Sequence, residues 1–374
     1  ATLLDGFIVR GGNADGLGLD GFGGGMIARS ARLTVRHCVF SDNQAVGGGA
    51  VEIQFQPTTF EYCRFEDNLA SGGGGAVDVF FGAGVFESCI FTDNRANLDG
   101  GAVFGDLMSD LLLRNCLVCT NRAVSRAGGA LATISRADVV GCTVVGNAAM
   151  LSGGGLANVG GSLRVVNSIA HGNLLMGAGG LGTQISAGVD VRFSIVEGAY
   201  PGQGNRDVDP LFVDEHGRDF RLRASSPAID AGTDGVVEGL AASDASGGRR
   251  RRDDPATPDT GAGAPPIVDI GAFEFTVNFG VLFCVAEPNS TGIAGRIDAI
   301  GSPVAADDSV LLVASGLPPR SFGYFLVSRT RTTAPLFGGG SGTLCLDAPR
   351  GRYVAPGQVQ ITGASGQILS LIHI

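Results

Sequence analysis

Six asparagines recur along the chain at a nearly fixed beat: Asn43, Asn68, Asn94, Asn121, Asn147 and Asn173. Other columns keep the same period. Cys38, Cys63, Cys89, Cys116 and Cys142 each stand five residues before an asparagine, and Ser168 and Ser194 continue that column. Gly-Gly pairs recur at Gly48-Gly49, Gly74-Gly75, Gly100-Gly101, Gly128-Gly129, Gly154-Gly155 and Gly179-Gly180. Self-similarity at a period of about 26 residues, with strand-like segments in each period, predicts a solenoid of stacked coils. No coil of this kind buries its own edges, so each depends on its neighbours.

The coil from Gly48 to Ser71 shows the grammar. In Val51-Glu52-Ile53-Gln54-Phe55 the alternation puts Val51, Ile53 and Phe55 on one face and Glu52 and Gln54 on the other. Phe60 and Cys63 are three residues apart yet both suit an interior, which requires a bend at Glu61-Tyr62. The same reading makes Val35, Phe60, Phe86, Leu113, Val139, Val165 and Val191 inward before the bend. After it come the Cys/Ser column and Phe40, Phe65, Phe91, Val118, Val144 and Ala170. Three short strands per coil, each paired with its copy in the next coil, give three parallel sheets. At about 4.8 Å per coil, seven coils span about 30–35 Å. The fold class predicted is all-β: a right-handed parallel β-helix followed by a small antiparallel β-sandwich.

Composition narrows function. The 374 residues carry 36 acidic and 26 basic side chains, a net charge of −10. That balance argues against a nucleic-acid partner. Every basic residue is arginine, so lysine Schiff-base and lysine general-base chemistry are excluded. Trp is absent and Tyr numbers four, which leaves few platforms for stacking sugars. No apolar run approaches the roughly 18 residues of a membrane helix. The first residues already read as strand, so the chain is expected to begin inside a longer protein whose signal sequence is missing. Leu369–Ile374 resembles the translation of a sequencing-library transposon end and is set aside.

Three family resemblances follow from local motifs. FSDN (Phe40–Asn43), FEDN (Phe65–Asn68) and FTDN (Phe91–Asn94), with GGAV at Gly48–Val51, Gly74–Val77 and Gly100–Val103, resemble the repeats of polymorphic outer-membrane proteins. That resemblance covers about residues 30–200 and implies a bacterial surface protein with a β-helical passenger and a role in adhesion. Beyond Ser194 the period breaks. Asp209-Pro210-Leu211-Phe212, Phe220-Arg221-Leu222, Ser226–Gly232 and Asp269–Glu274 (DPLF, FRL, SPAIDAG, DIGAFE) look like the closing segment of secreted β-helix proteins of the choice-of-anchor type. Phe212, Phe220, Leu222 and Ile229 are expected to plug the open end of the core. Residues 276–368, with Pro288–Gly292, Gly316-Leu317-Pro318, Phe322–Phe325 and Gly351-Arg352-Tyr353, resemble a C-terminal module of large secreted bacterial proteins. The domains are therefore 1–200 (coils), 201–275 (closing segment with a long loop at 233–266), 276–368 (β-sandwich) and 369–374 (the set-aside end).

Candidate sites are few. Cys284 and Cys345 are the only cysteines of the C-terminal module, and a disulfide between them suits an exported protein. Asp42, Asp67 and Asp93 precede successive asparagines and should stack. Either they splay into solvent or a cation, Ca2+ the candidate, bridges them. Glu52 and Asp78 share a row on the outer face of the first sheet, with Asp106 two residues along, and form a candidate ligand patch. Enzymes of the pectate-lyase-like superfamily, which this chain resembles in fold, place acidic metal-binding residues on such a face. A lyase also needs a positioned base, and the sequence offers no clear arginine partner there. The Asn-Thr-Asp, Gly-His-Gly and Arg-Ile-Lys signatures of polygalacturonases are missing. Cys116 and Cys119 form a CxxC without the second pair a zinc site needs. The run Arg249–Arg252 facing Asp253-Asp254 reads as a solvated, self-neutralising loop. Stacked asparagines read as turn formers and hydrogen-bonding amides. The expected function is a secreted or surface-displayed scaffold, adhesin or binding protein without catalysis, facing a glycan or a host or cell-surface protein, with no catalytic residue and no cofactor besides the candidate Ca2+. The alternative is a polysaccharide lyase or hydrolase working through Glu52, Asp78 and Asp106. Nothing in the sequence fixes the oligomeric state.

Overall fold

The computed structural model describes residues 2–29, 32–178, 183–235 and 239–276, and shorter stretches between 278 and 372. It divides into two compact units. The first comprises Ala1–Val213, Phe220–Ala245 and Arg249–Phe275.

The first unit is a parallel β-helix. Sheet I holds eight strands, including Leu33–Arg36, Thr58–Glu61, Ala83–Glu87, Asp110–Arg114, Arg136–Val140 and Ser162–Val166. Sheet II also holds eight, among them Val39–Ser41, Arg64–Glu66, Ile90–Thr92, Leu117–Cys119, Thr143–Val145, Ile169–His171 and Ile195–Val196. A six-stranded sheet runs from Met26–Arg29 through Val51–Gln54, Val77–Phe80, Val103–Gly105 and Leu131–Thr133 to Leu156–Asn158; we call it sheet IV. The three expected strands per coil are thus present. Each coil adds a two-residue ladder just after the asparagine, as at Gln44–Ala45, Leu69–Ala70 and Arg95–Ala96, and these make a seven-stranded sheet III. Every pairing within these four sheets is parallel and in register, so Phe40, Phe65, Phe91 and Val118 fall opposite one another.

The corners explain the period. Three columns of residues adopt the left-handed region. His37, Tyr62, Ser88, Asn115, Gly141, Asn167 and Phe193 turn sheet I into sheet II, with φ between 45° and 60°. This is the bend that lets Phe60 and Cys63 both face inward. Asp42, Asp67, Asp93, Thr120, Gly146 and Gly172 turn sheet II into sheet III, with φ between 55° and 64°. Gly48, Gly74, Gly100 and Gly128 open sheet IV, with φ between 57° and 68°. Only glycine enters this region freely, and Asp and Asn enter it more readily than most residues. The glycine that follows is forced by space: a Cβ at Gly49 would lie 2.1 Å from the carbonyl oxygen of Gly75 in the next coil.

The asparagines bond from coil to coil as expected but do not themselves form the turn. The unusual backbone angle belongs to the residue before each one, and the asparagine itself forms a buried amide ladder. Asn43 Nδ2 donates to Asn68 Oδ1 at 3.0 Å, and the same bond links Asn68, Asn94, Asn121, Asn147 and Asn173 in turn at 2.9 Å. Each Oδ1 also accepts the backbone N–H of the asparagine one coil earlier. Gln184 closes the file by accepting from Asn173 Nδ2 at 2.7 Å. A buried amide of this kind has its donors and acceptor satisfied and so avoids the desolvation penalty of an unpaired polar group.

Apolar columns fill the interior. Phe40, Phe65 and Phe91 stack face to face at 5.2 and 4.6 Å, and Phe60 and Phe86 stack beside them at 5.2 Å with edge contacts between the two files. Cys38, Cys63, Cys89, Cys116 and Cys142 are buried free thiols. Each Sγ donates to backbone carbonyls, as Cys63 does to Val35 at 3.4 Å. Cys116 faces this interior while Cys119 faces an outer cluster, so the CxxC does not converge.

The closing segment corrects the sequence reading. Phe212, Phe220, Leu222 and Ile229 do not enter the core cluster. They pack with Ala228, Ile270, Ala272 and Phe273 against Leu117, Cys119, Val145, Ile169 and Ile195. Those five are the outward residues of sheet II, alternating with the inward Val118, Val144, Ala170 and Val196. The segment therefore lies along the flank of the later coils. Polar groups at the first corner column fasten it. Asn167 Nδ2 donates to the Thr233 carbonyl at 2.7 Å and Asn167 Oδ1 accepts from the Thr233 N–H at 2.8 Å. Ser88 Oγ donates to the Asp244 carbonyl, and Asn115 Nδ2 donates to that of Ser243 at 2.5 Å. Outward Leu, Ile and Val on late sheet II strands are the apolar surface that attracts this cover.

The second unit contains the C-terminal strands and is antiparallel. Asn278–Phe279, Arg296–Ile300, Val310–Ser315 and Ile368–Ile372 form one four-stranded sheet in that order. Three two-stranded ladders pair Phe322–Gly323 with Gln360–Ile361, Leu326–Ser328 with Arg350–Arg352 and Arg331–Pro335 with Thr343–Leu346. The set-aside end overlaps the strand Ile368–Ile372, which pairs with Val310–Ala314. Cys284 lies outside the described residues, and with it the expected disulfide to Cys345.

Candidate functional site

Sheet IV carries the acidic patch. Its outward row runs Ile27, Glu52, Asp78, Phe104, Ala132, Ala157, set by the parallel register. Glu52 and Asp78 are direct register partners, and Asp106 lies two residues past Phe104, as the sequence pattern implies. Although they point away from the coil interior, Glu52 is only 2% exposed and Asp78 only 6%. The glycine-rich corner lies against Asp78. A Cβ built on Gly47 would come 3.1 Å from Asp78 Oδ2 and 2.8 Å from the Phe22 ring.

Electrostatics follow from this cover. Glu52 Oε1 accepts from Gln54 Nε2 at 3.1 Å. Among the described residues Glu52 Oε2 and Asp78 Oδ1 have no hydrogen-bond partner. Burial pushes the Glu52 carboxyl up to about 7, and the nearby Asp106 carboxylate adds to the rise. Burial, then Glu52 and Asp106, pushes Asp78 well above the usual carboxylate range. No arginine forms an ion pair with Glu52, Asp78 or Asp106 among the described residues. The neutral acid is the expected state of Asp78 at physiological pH, whereas Glu52, near 7, divides between its protonated and ionised forms.

The stacked acids lie elsewhere. Asp42, Asp67 and Asp93 all sit half-exposed at the corner from sheet II to sheet III. Asp42 pairs with Arg10 at 2.9 Å. Thr120, Gly146 and Gly172 take the same left-handed corner in later coils, so the corner itself does not require an acid.

Sequence reasoning missed two features. The first is a ridge at the corner between sheets IV and I. Phe55 and Phe81 occupy equivalent left-handed positions, with φ of 66° and 51°, and their rings lie 6.3 Å apart. They are 47% and 37% exposed, and Met108 continues the ridge at 76%. Arg29 lies over the Phe55 ring at 5.6 Å. A bulky residue in that backbone region is strained. The sequence signal was misread because alternation assigned Phe55 to the interior. The second feature is ionic. Arg250, expected in a solvated loop, is wholly buried. Its Nε lies 3.4 Å from Glu274 Oε1, and its Nη2 donates to the Asp269 carbonyl at 2.8 Å. Burial pushes Glu274 well up and Asp269 up to about 7. The Asp of DIGAFE accepts backbone N–H groups from Asp230 and Phe275.

Parallel coils, a buried amide ladder and outward residues on flat sheet faces define a right-handed parallel β-helix protein. Residues 20–194 match the family described as right handed beta helix region, and the coils share that architecture. None of the curated proteins matches the chain. No described helix is long and apolar enough to cross a membrane.

Proposed function

We propose that this chain is a secreted or cell-surface β-helix scaffold that binds a partner, a glycan or a cell-surface protein, without catalysis. The observation that carries the reading is the burial of Glu52 and Asp78, the latter against the Gly47 corner. A polysaccharide cannot reach carboxyls that are so deeply covered, and no paired base stands beside them. A long repetitive face suits multivalent contact. The exposed Phe55–Phe81–Met108 ridge supplies apolar contact area on that face. The resemblance of the FxDN/GGAV repeats to bacterial surface proteins supports the location. The test is a glycan and surface-protein array probed with the wild type and with Phe55→Ala/Phe81→Ala. Binding in the wild type that drops at least tenfold in the double variant supports the reading; unchanged binding moves the contact face elsewhere.

A second reading rests on one specific observation. A carboxyl held near 7 is what a general acid requires, and Glu52 has that property. A reducing-sugar and unsaturated-uronate assay on a polysaccharide panel separates the two. Turnover abolished by Asp78→Ala would establish an enzyme and overturn the scaffold.

A further inference from the structure

The closing segment contains a group of three acids outside the patch discussed so far: Asp230, Asp253 and Asp259. One carboxylate oxygen from each lies within 4.8 Å of the other two. Asp253 and Asp259 are exposed, whereas Asp230 is wholly buried. Among the described residues neither Asp230 oxygen accepts a hydrogen bond of ordinary geometry, although the Asp254 N–H lies near enough to favour its ionised form. A buried carboxylate left without a partner is costly, and this one faces two more negative groups.

The backbone holds Asp230 there. Its φ is 49°. Its N–H donates to Asp269 Oδ1 at 2.8 Å, and its carbonyl accepts from the N–H groups of Thr260 and Gly261 at 2.9 and 3.0 Å. The side chain is thus fixed by main-chain bonds on both sides. Three nearby guanidinium groups are engaged elsewhere. Arg206 donates to the Pro227 carbonyl and the Thr260 hydroxyl, both at 2.8 Å. Arg250 is taken by Glu274 and Asp269, and Arg251 pairs with Asp234 at 3.4 Å. Burial raises Asp230 to about 6, the Asp254 backbone N–H offsets part of that rise, and Asp253 and Asp259 add to it.

We propose that Asp230, Asp253 and Asp259 bind a hard divalent cation, calcium by its size, which clips the loop at 253–259 onto the closing segment. Calcium takes oxygen ligands at about 2.3–2.6 Å, so oxygens on opposite sides of one ion stand about 4.6–5.2 Å apart. Three oxygens within 4.8 Å of one another fit around such an ion, with the exposed side left for water. The cation supplies the partner that Asp230 lacks and cancels most of the local charge. This inference is independent of the binding function proposed above.

The test titrates the EDTA-treated full chain with calcium chloride, following heat by calorimetry and the melting temperature in parallel. One calcium per chain and a rise in Tm at about 1 mM Ca2+ are expected. Asp253→Asn/Asp259→Asn, both at exposed positions, should fold as the wild type does and lose at least tenfold in calcium affinity. Asp42→Asn/Asp67→Asn/Asp93→Asn should titrate like the wild type. No heat and no Tm change at that concentration overturns the site. Wild-type titration by Asp253→Asn/Asp259→Asn overturns it equally.

Discussion

The coil stack and the closing segment bury their residues by different means. Between residues 33 and 196 each contact is a copy: Phe65 on Phe40, Asn68 on Asn94, Val77 on Val103. Along residues 212–275 no contact repeats. A buried arginine and its acids hold the irregular segment to itself, and side chain-to-backbone bonds and an apolar cluster fasten it to the corner and outer face of sheet II. In the first region a side chain is held by its copies in the coils on either side, as Phe65 is by Phe40 and Phe91. The second depends on single ionic groups that have no substitute.

The difference has measurable consequences. The largest is expected inside the stack, where Phe65 touches Phe40, Phe60, Phe86 and Phe91. Phe65→Ala should cost about 3–5 kcal/mol, read from urea denaturation. A cost under about 1 kcal/mol would mean that the ring is not central. In the closing segment, Arg250→Ala strands Glu274 and Asp269 in the interior and should cost about 3–5 kcal/mol. Arg250→Met/Glu274→Leu should recover much of that loss, because removing both partners leaves no uncompensated charge. If the double variant is as unstable as the single one, packing rather than charge governs the site.

The contrast also explains what the sequence could show. Period and alternation revealed the inward Phe, Val and Cys columns, because each is repeated about every 26 residues and every error would be visible in the next coil. The register that sets Glu52 beside Asp78 followed from the same count. Other features were hidden. That Gly47 closes over Asp78 depends on a corner whose path no alternation encodes. Phe55 looked inward because the strand pattern continues one residue past the point where the backbone turns left-handed. Arg250 looked solvated because its partner Glu274 is 24 residues away in an unrepeated segment, and Asp230 meets Asp259 only through the long loop. The closing motifs signalled that the stack ends, but the outward Leu117, Val145, Ile169 and Ile195 that receive them read simply as strand residues.

A smaller effect concerns pH. Glu52 has a folded-state pKa near 7, above its value in an unfolded chain of about 4.3. The folded form therefore holds its proton more tightly. Its contribution favours folding below about pH 4.3 and is lost progressively as the pH rises towards 7, on the order of 1–3 kcal/mol. Glu52→Gln should flatten the stability profile between pH 5 and 8, measured as Tm in matched buffers; an unchanged slope would mean that Glu52 stays solvated. The smallest effect is expected at Asp42, whose exposed pair with Arg10 should contribute within about 1 kcal/mol. Asp42→Asn keeps a side chain suited to the left-handed corner and should leave Tm nearly unchanged. A large loss would mean that the acid column is more than a turn.

The most direct test of the stacked account is amide hydrogen exchange on Asn94→Ala. The Asn68 N–H donates to Asn94 Oδ1, whereas the Asn121 N–H donates to Asn147 Oδ1. Exchange at Asn68 should accelerate by an order of magnitude or more, and exchange at Asn121 should stay close to that of the wild type. Equal acceleration at both, or none at either, would contradict the ladder and the coil order built on it.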